Sequence, residues 1–279
     1  MNDRLPGNWS GTRVPPDDVQ LREVAAAIET VADHRRRFGE VFRQAFDEVL
    51  DGQRTGRFDV RGLSKVEKTY IGTKAEIICQ SAFRWPRGEH MDFRIAGHEV
   101  DSKYSKTLGG WMIPSEAVGS LCLLLWADDL HSVCSVGLVR PRLELLGAPN
   151  KDGKRQLNPA GRARVHWLLY EASLPENLLL HLEPDVRSRI MAHRRSGQAR
   201  IDELFRSVTG RIIRREVVLA VGQQDDAPKR VRDARQHLAA EGIAILGHLA
   251  DDRAVARRLG LPEPVKGEWI SARTAQGPV

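Results

Sequence analysis

The chain has 279 residues, 41% hydrophobic and 29% charged, with a formal net charge of +6 and a pI near 9.5. This is enough apolar content for a packed core in one large domain or two, and the basic balance favours a polyanionic partner. It excludes a protein built on apolar membrane spans, because no run of about 18 apolar residues occurs. The N-terminus, Met1 to Pro6, has no apolar leader core.

Residues 1–17 read as a loose polar arm. Asp17 or Asp18 then caps a helix whose apolar stripe is Leu21, Val24, Ile28 and Val31. Arg35-Arg36-Arg37 is a solvated face, and a second amphipathic stretch runs from Phe38 to Val49 and stops at Gly52. Residues 51–57 form a Gly-rich loop whose Arg54 and Arg57 either touch phosphate or keep the loop soluble. Val49-Leu50-Asp51-Gly52 has the outline of the Lys-x-Asp-Gly motif of nucleotidyl-transferring ligases. Val49 stands where the lysine nucleophile would be, which excludes ligase chemistry. Lys65 to Ala82 reads as a helix with Glu76 and Gln80 on one face.

The densest constellation follows. Met91 to Ala96 alternates apolar and polar residues as a half-buried strand does, and Glu99 to Tyr104 reads as the returning strand. A turn at Gly97-His98 sets Ala96 opposite Glu99 and therefore Asp92 opposite Lys103, with Asp101 on the same face. Two carboxylates and an ammonium thus gather on one hairpin, and Glu76 arrives from the preceding segment. Oxygen ligands beside a lysine suit Mg²⁺-dependent phosphodiester cleavage. A surface hairpin carrying a solvated charge ladder has the same local pattern, so the wider context decides.

Beyond the hairpin lies a glycine-hinged loop, residues 105–115, with Lys106 and Trp111. Leu121 to Trp126 is an apolar run suited to a strand covered on both faces, and Ser132 to Arg140 reads as its neighbour. Residues 147–158 are a polar loop, and Pro159 to Ala172 reads as a helix containing Trp167. Cys79, Cys122 and Cys134 stand in apolar contexts at no metal-ligand spacing, as buried free thiols of a cytosolic protein do. The first domain, 1–172, is therefore a mixed α/β (α+β) fold with a central sheet flanked by helices. Residues 173–180 are a linker and 181–279 a second domain.

That second domain is locally basic: residues 187–215 hold nine arginines against Asp202 and Glu203. Ile201, Leu204, Phe205 and Val208 mark one short helix and Val217 to Val221 a second. Ala227 to Ala240 forms a third, with Val231, Ala234 and Leu238 inward and Lys229, Arg230, Arg232 and Arg235 outward. Gly242 leads into a strand, Ile243 to Gly247. A turn, a basic helix and a strand hairpin in this order make a winged helix-turn-helix.

Several blocks in both halves carry a more specific signal. They are Lys68-Thr69 and Gly72-Thr73 before Glu76, then Asp92, Gly97 to Ser105, and Gly109 to Pro114. In the second half they are Ser196 to Arg200, Glu203 to Arg206 and Val221 to Ala227. In these the chain resembles the NaeI family of type II restriction endonucleases, from the first helices to about Trp269. The resemblance implies a restriction-endonuclease-like domain followed by a helix-turn-helix domain, a homodimer acting on double-stranded DNA, and cleavage of both strands at a GC-rich palindrome. It also implies activation by a second DNA site bound at the C-terminal domain. The family's catalytic set falls on Glu76, Asp92, Asp101, Ser102 and Lys103, all five with the expected residue. Glu76, Asp92 and Asp101 are then the Mg²⁺ ligands. Arg200 joins Arg54, Arg57, Lys106 and the basic helix as expected DNA contacts, and a companion methyltransferase would protect the host. The alternatives are a strand-nicking repair nuclease on the same scaffold and a winged-helix regulator that binds DNA without cutting it.

Overall fold

The computed structural model describes residues 18–192 and 196–273. The expected arm at 1–17 lies outside the described residues. In chain order the elements begin with α1 (Val19–Glu29), α2 (His34–Leu50), α3 (Gly52–Thr55), α4 (Lys65–Phe83), β1 (Phe93–Ile95) and β2 (His98–Ser105). They continue through β3 (Leu121–Asp128), β4 (Val133–Val139), α5 (Pro159–Arg162) and β5 (His166–Ser173). The C-terminal part contains α6 (Pro184–Met191), α7 (Gly197–Ser207), β6 (Ile212–Arg214), α8 (Arg215–Gly222), α9 (Ala227–Ala239), β7 (Ile243–Leu246), α10 (Ala250–Arg258) and β8 (Glu268–Arg273). No helix among the described residues is long and apolar enough to cross a membrane.

The chain divides into two compact units: residues 1–49 with 63–176, and residues 50–62 with 177–279. The first is built on a sheet of order β1-β2-β3-β4-β5 in which β2 and β3 are parallel and the other pairs antiparallel. This mixed sheet flanked by helices fits a restriction-endonuclease-like fold. Helix α1 starts where Asp18 accepts from the Leu21 N–H and buries Leu21, Val24, Ala25 and Ile28. Helix α4 starts on a full capping box, Ser64 with Glu67, which satisfies backbone N–H groups in both directions.

Two expectations need correction. Residues 159–172 do not form one helix: α5 ends at Arg162 and His166–Ser173 is a strand paired with β4. The start signals are real, since Asn158 caps α5 and Pro159 sits in its first turn. However, Val165, Trp167 and Tyr170 are β-branched or aromatic residues, which favour a strand when an open sheet edge is available. Residues 147–158, expected as a plain loop, fold back as an ordered hairpin closed by the Leu146–Leu157 bridge.

In the second unit α7, α8 and α9 surround a core that includes Ile201, Leu204, Phe205, Val218, Val221, Val231, Ala234 and Leu238. The inward face expected for α9 is the buried one. Strands β6 and β7 flank β8, both antiparallel to it. The connection from β7 to β8 carries α10, so the two are not joined by a tight turn. Helix α3 packs with this unit: a Cβ on Gly52 would meet that of Ala220 at 2.7 Å.

Candidate active site

The hairpin of β1 and β2 pairs Phe93 with Val100, Arg94 with Glu99 and Ile95 with His98. The turn is therefore Ala96-Gly97, both at positive φ (51° and 84°), as a type I′ turn requires. The expected pairing of Asp92 with Lys103 is corrected: the same register carries Asp92 opposite Asp101. The slip is two residues, which preserves the side-chain period of two, so Asp92, Asp101 and Lys103 stay on one face.

Three contacts knit this face together. The Lys103 Nζ lies 2.6 Å from Asp101 Oδ2 and donates to the Ser102 carbonyl at 3.1 Å. The Ser102 N–H donates to Asp92 Oδ2 at 2.6 Å. Asp101 is 7% exposed. Its carboxyl is pushed above the ordinary aspartate range mainly by burial, with Lys103 opposing and the neighbouring Asp92 adding to the rise. Glu76, half-buried on α4, is also raised, first by burial and then by Asp92 and Asp101, while Lys103 and Arg87 oppose. The structure thus brings the charges of all four predicted ionisable residues within electrostatic reach of one another.

Sequence reasoning missed the support under this site. The Glu99 carboxylate accepts from the N–H groups of Glu89, His90 and Met91 at 3.0, 3.0 and 2.9 Å, which lowers its pKa to about 2. It thereby fixes the three residues immediately before Asp92. Gly88 is required there, because a Cβ would come 2.4 Å from the Met91 carbonyl oxygen. The signal was Glu99's place on the same strand face as Asp101.

Among the described residues no group of three or more His, Cys, Asp or Glu side chains forms a ready metal cage. The donor set is instead two carboxyls and a carbonyl. That fits a Mg²⁺ ion, which keeps several waters and takes phosphate oxygens as further ligands. The Lys103 ammonium already stands between Asp101 Oδ2 and Ser102 O, marking two oxygens that suit a cation.

The expected DNA contacts fall into different situations. Lys106 and Arg232 are exposed. Arg54 is exposed but paired with Asp51, and Arg57 is half-buried; both belong to the second compact unit rather than to that of the acidic cluster. Lys229 and Arg230 face Asp233 at 3.6 and 3.9 Å. Arg235 is turned to the Ile245 carbonyl and Asp252. Arg200 needs correction as a phosphate contact: it is 6% exposed and donates to the carbonyls of Val221 and Gly222, closing the C-terminal end of α8.

Comparison with known proteins shows the family. The family described as restriction endonuclease NaeI matches residues 22–277. The type II restriction enzyme NaeI of Lentzea aerocolonigenes is 45% identical over 267 residues, covering 92% of this chain and 84% of its own length. With a match spanning both compact units, the chain belongs to the NaeI family of restriction endonucleases.

Proposed function

We propose that this chain is a Mg²⁺-dependent type II restriction endonuclease that hydrolyses both strands of double-stranded DNA at a GC-rich palindrome. It works as a homodimer in the bacterial cytoplasm, alongside a companion methyltransferase. The second unit acts as a winged helix-turn-helix, with α9 as the basic helix, and binds a second DNA site that stimulates cleavage. One observation carries the nuclease reading: the Lys103 ammonium bridges Asp101 and the Ser102 carbonyl directly beside Asp92, in a chain 45% identical to a restriction enzyme.

Asp92 and Asp101 would hold the cation, with Glu76 joining directly or through water and the Ser102 carbonyl adding a ligand. When bound, Mg²⁺ polarises the scissile phosphate and acidifies water at the site. Lys103, freed from Asp101, orients the attacking water and stabilises the negative charge that develops on the phosphate. The Ser102 N–H keeps Asp92 aimed at the same point. Arg232 and Lys106 stand ready for backbone phosphates, so affinity falls steeply with salt.

Supercoiled plasmid incubated with Mg²⁺ is expected to give linear products with 5′-phosphate ends. Asp101→Ala and Lys103→Ala should each slow cleavage by at least about 10²-fold. Cleavage persisting in either purified variant would mean the site is elsewhere. Open circles alone would favour a nicking enzyme, and binding without cutting a regulator.

A further inference from the structure

We propose that the hairpin closed by Leu146 and Leu157 is a DNA-reading arm that enters the major groove of a duplex held over the catalytic face. This rests on the endonuclease reading of Asp92, Asp101 and Lys103.

The face of the sheet is the first observation. Asp101 and Lys103 lie in register with Cys122 and Leu124 of β3, and the Cys122 Sγ is 3.8 Å from Asp101 Oδ2. Cys122 and Leu124 belong to an apolar cluster that also contains Leu146 and Leu157. The stem of the hairpin is therefore planted on the catalytic face, one strand away from the acidic residues.

The second observation is its order. Gly147 N–H donates to the Gln156 carbonyl at 2.9 Å and Asn150 N–H to that of Lys154 at 2.8 Å. The Asn150 side chain receives the N–H groups of Asp152 and Lys154 at 2.9 Å each. Arg155 exchanges both backbone bonds with Ile113, at 2.8 and 2.9 Å. A polar ribbon that buries little beyond its two stem leucines is thus held by its own backbone bonds, by the Asn150 side chain and by the Ile113 backbone. A two-stranded ribbon is one of the shapes that the major groove, about 12 Å wide, admits.

The third is charge. Residues 142–164 carry six lysines and arginines against Glu144 and Asp152. Residues 148–154 are all exposed, as is Gln156. Among the described residues Lys151 and Lys154 have no ion-pair partner, whereas many arginines of the more basic stretch 187–215 are committed internally. Arg187 serves the carbonyls of Leu179, Leu180 and Leu182, Arg200 those of Val221 and Gly222, and Arg206 the carboxylates of Glu203 and Glu241. Lys151 and Lys154 are placed to take phosphate or the O6 and N7 of guanine, and Gln156 to take a base edge.

The test uses the full chain carrying Lys151→Ala and Lys154→Ala together, with a short duplex spanning the cut mapped from wild-type digestion, or random plasmid fragments if the wild type does not cut. Affinity is measured over a salt series without Mg²⁺. The slope of log affinity against log salt should become shallower by about 2, close to one per lost phosphate contact, with an unchanged thermal midpoint. Gln156→Ala should relax the recognised sequence when fragment ends are sequenced. An unchanged slope in a folded double variant overturns the arm. The slope is read whether or not the wild type cuts, so absence of cleavage sinks the nuclease reading separately.

Discussion

At Lys103 a single ammonium serves two states of the protein. Without a cation it neutralises a buried carboxyl that burial would otherwise drive toward its protonated form. In the proposed reaction the same group is released toward water and phosphate. Glu99 is the residue that lets this exchange happen in place, because it ties down Glu89 to Met91 and so fixes the approach to Asp92. Glu99→Gln replaces one acceptor oxygen by an NH₂ that faces backbone donors. The Mg²⁺ concentration for half-maximal cleavage should then rise about 10-fold or more, as loss of ligand support typically does, while DNA affinity without metal stays the same. An unshifted metal titration would mean that the loop holds itself. Asp92, Asp101 and Lys103 were legible because their spacing puts them on one hairpin face, and Glu76 on α4 was legible through the family resemblance; Glu99's role was not, because it depends on backbone N–H groups converging from another segment.

At the level of elements, the β1–β2 hairpin shows how a wrong register can leave the chemistry right. Glycine drew the expected turn to Gly97-His98, but Gly97 occupies the second turn position and Ala96 the first. A slip of two residues keeps every side chain on its face, whereas a slip of one would have dispersed the cluster. Ala96 at φ 51° is strained for a residue with a Cβ and no local hydrogen bond to compensate. Ala96→Asn should supply the preferred Asn-Gly pair and stabilise by about 0.5–1 kcal/mol, read as a higher midpoint in denaturant. A lower midpoint would mean that the turn is not of this type. Helix starts were legible at Asp17 or Asp18 and at Pro159, whereas the Ser64–Glu67 capping box went unread. The strand at His166–Ser173 was not, since only the open edge of β4 decides between helix and strand there.

Across the whole molecule, net charge proved a poor guide to where charge is available. The stretch richest in arginine spends much of it on internal carbonyls and carboxylates, a fact about folded contacts that composition cannot carry. Long-range pairing also sets the pH response. Asp18 and Arg140, 122 residues apart, join the start of α1 to the end of β4 at 2.7 Å. The guanidinium holds the Asp18 carboxyl below its ordinary range, against the effect of burial. A carboxyl lowered on folding contributes stability above its unfolded pKa and loses it as pH falls through the folded value. Asp18→Asn should therefore cost about 1–3 kcal/mol near neutral pH, and the gap to wild type should close in strong acid. Equal destabilisation at both ends of a pH series of denaturant melts would rule out this charge pairing.

The hairpin closed by Leu146 and Leu157 separates two kinds of selection. Its stem leucines are part of the core, so changes there are tested first by whether the chain folds. Its tip, from Ala148 to Lys154, is exposed, and surface substitutions of that kind usually cost within about half a kcal/mol. A lineage can therefore drift at the tip with the carboxylates and Lys103 untouched. If the tip meets the bases, descendants that share one catalytic strand can come to defend their hosts against different sequences without passing through an unfolded ancestor.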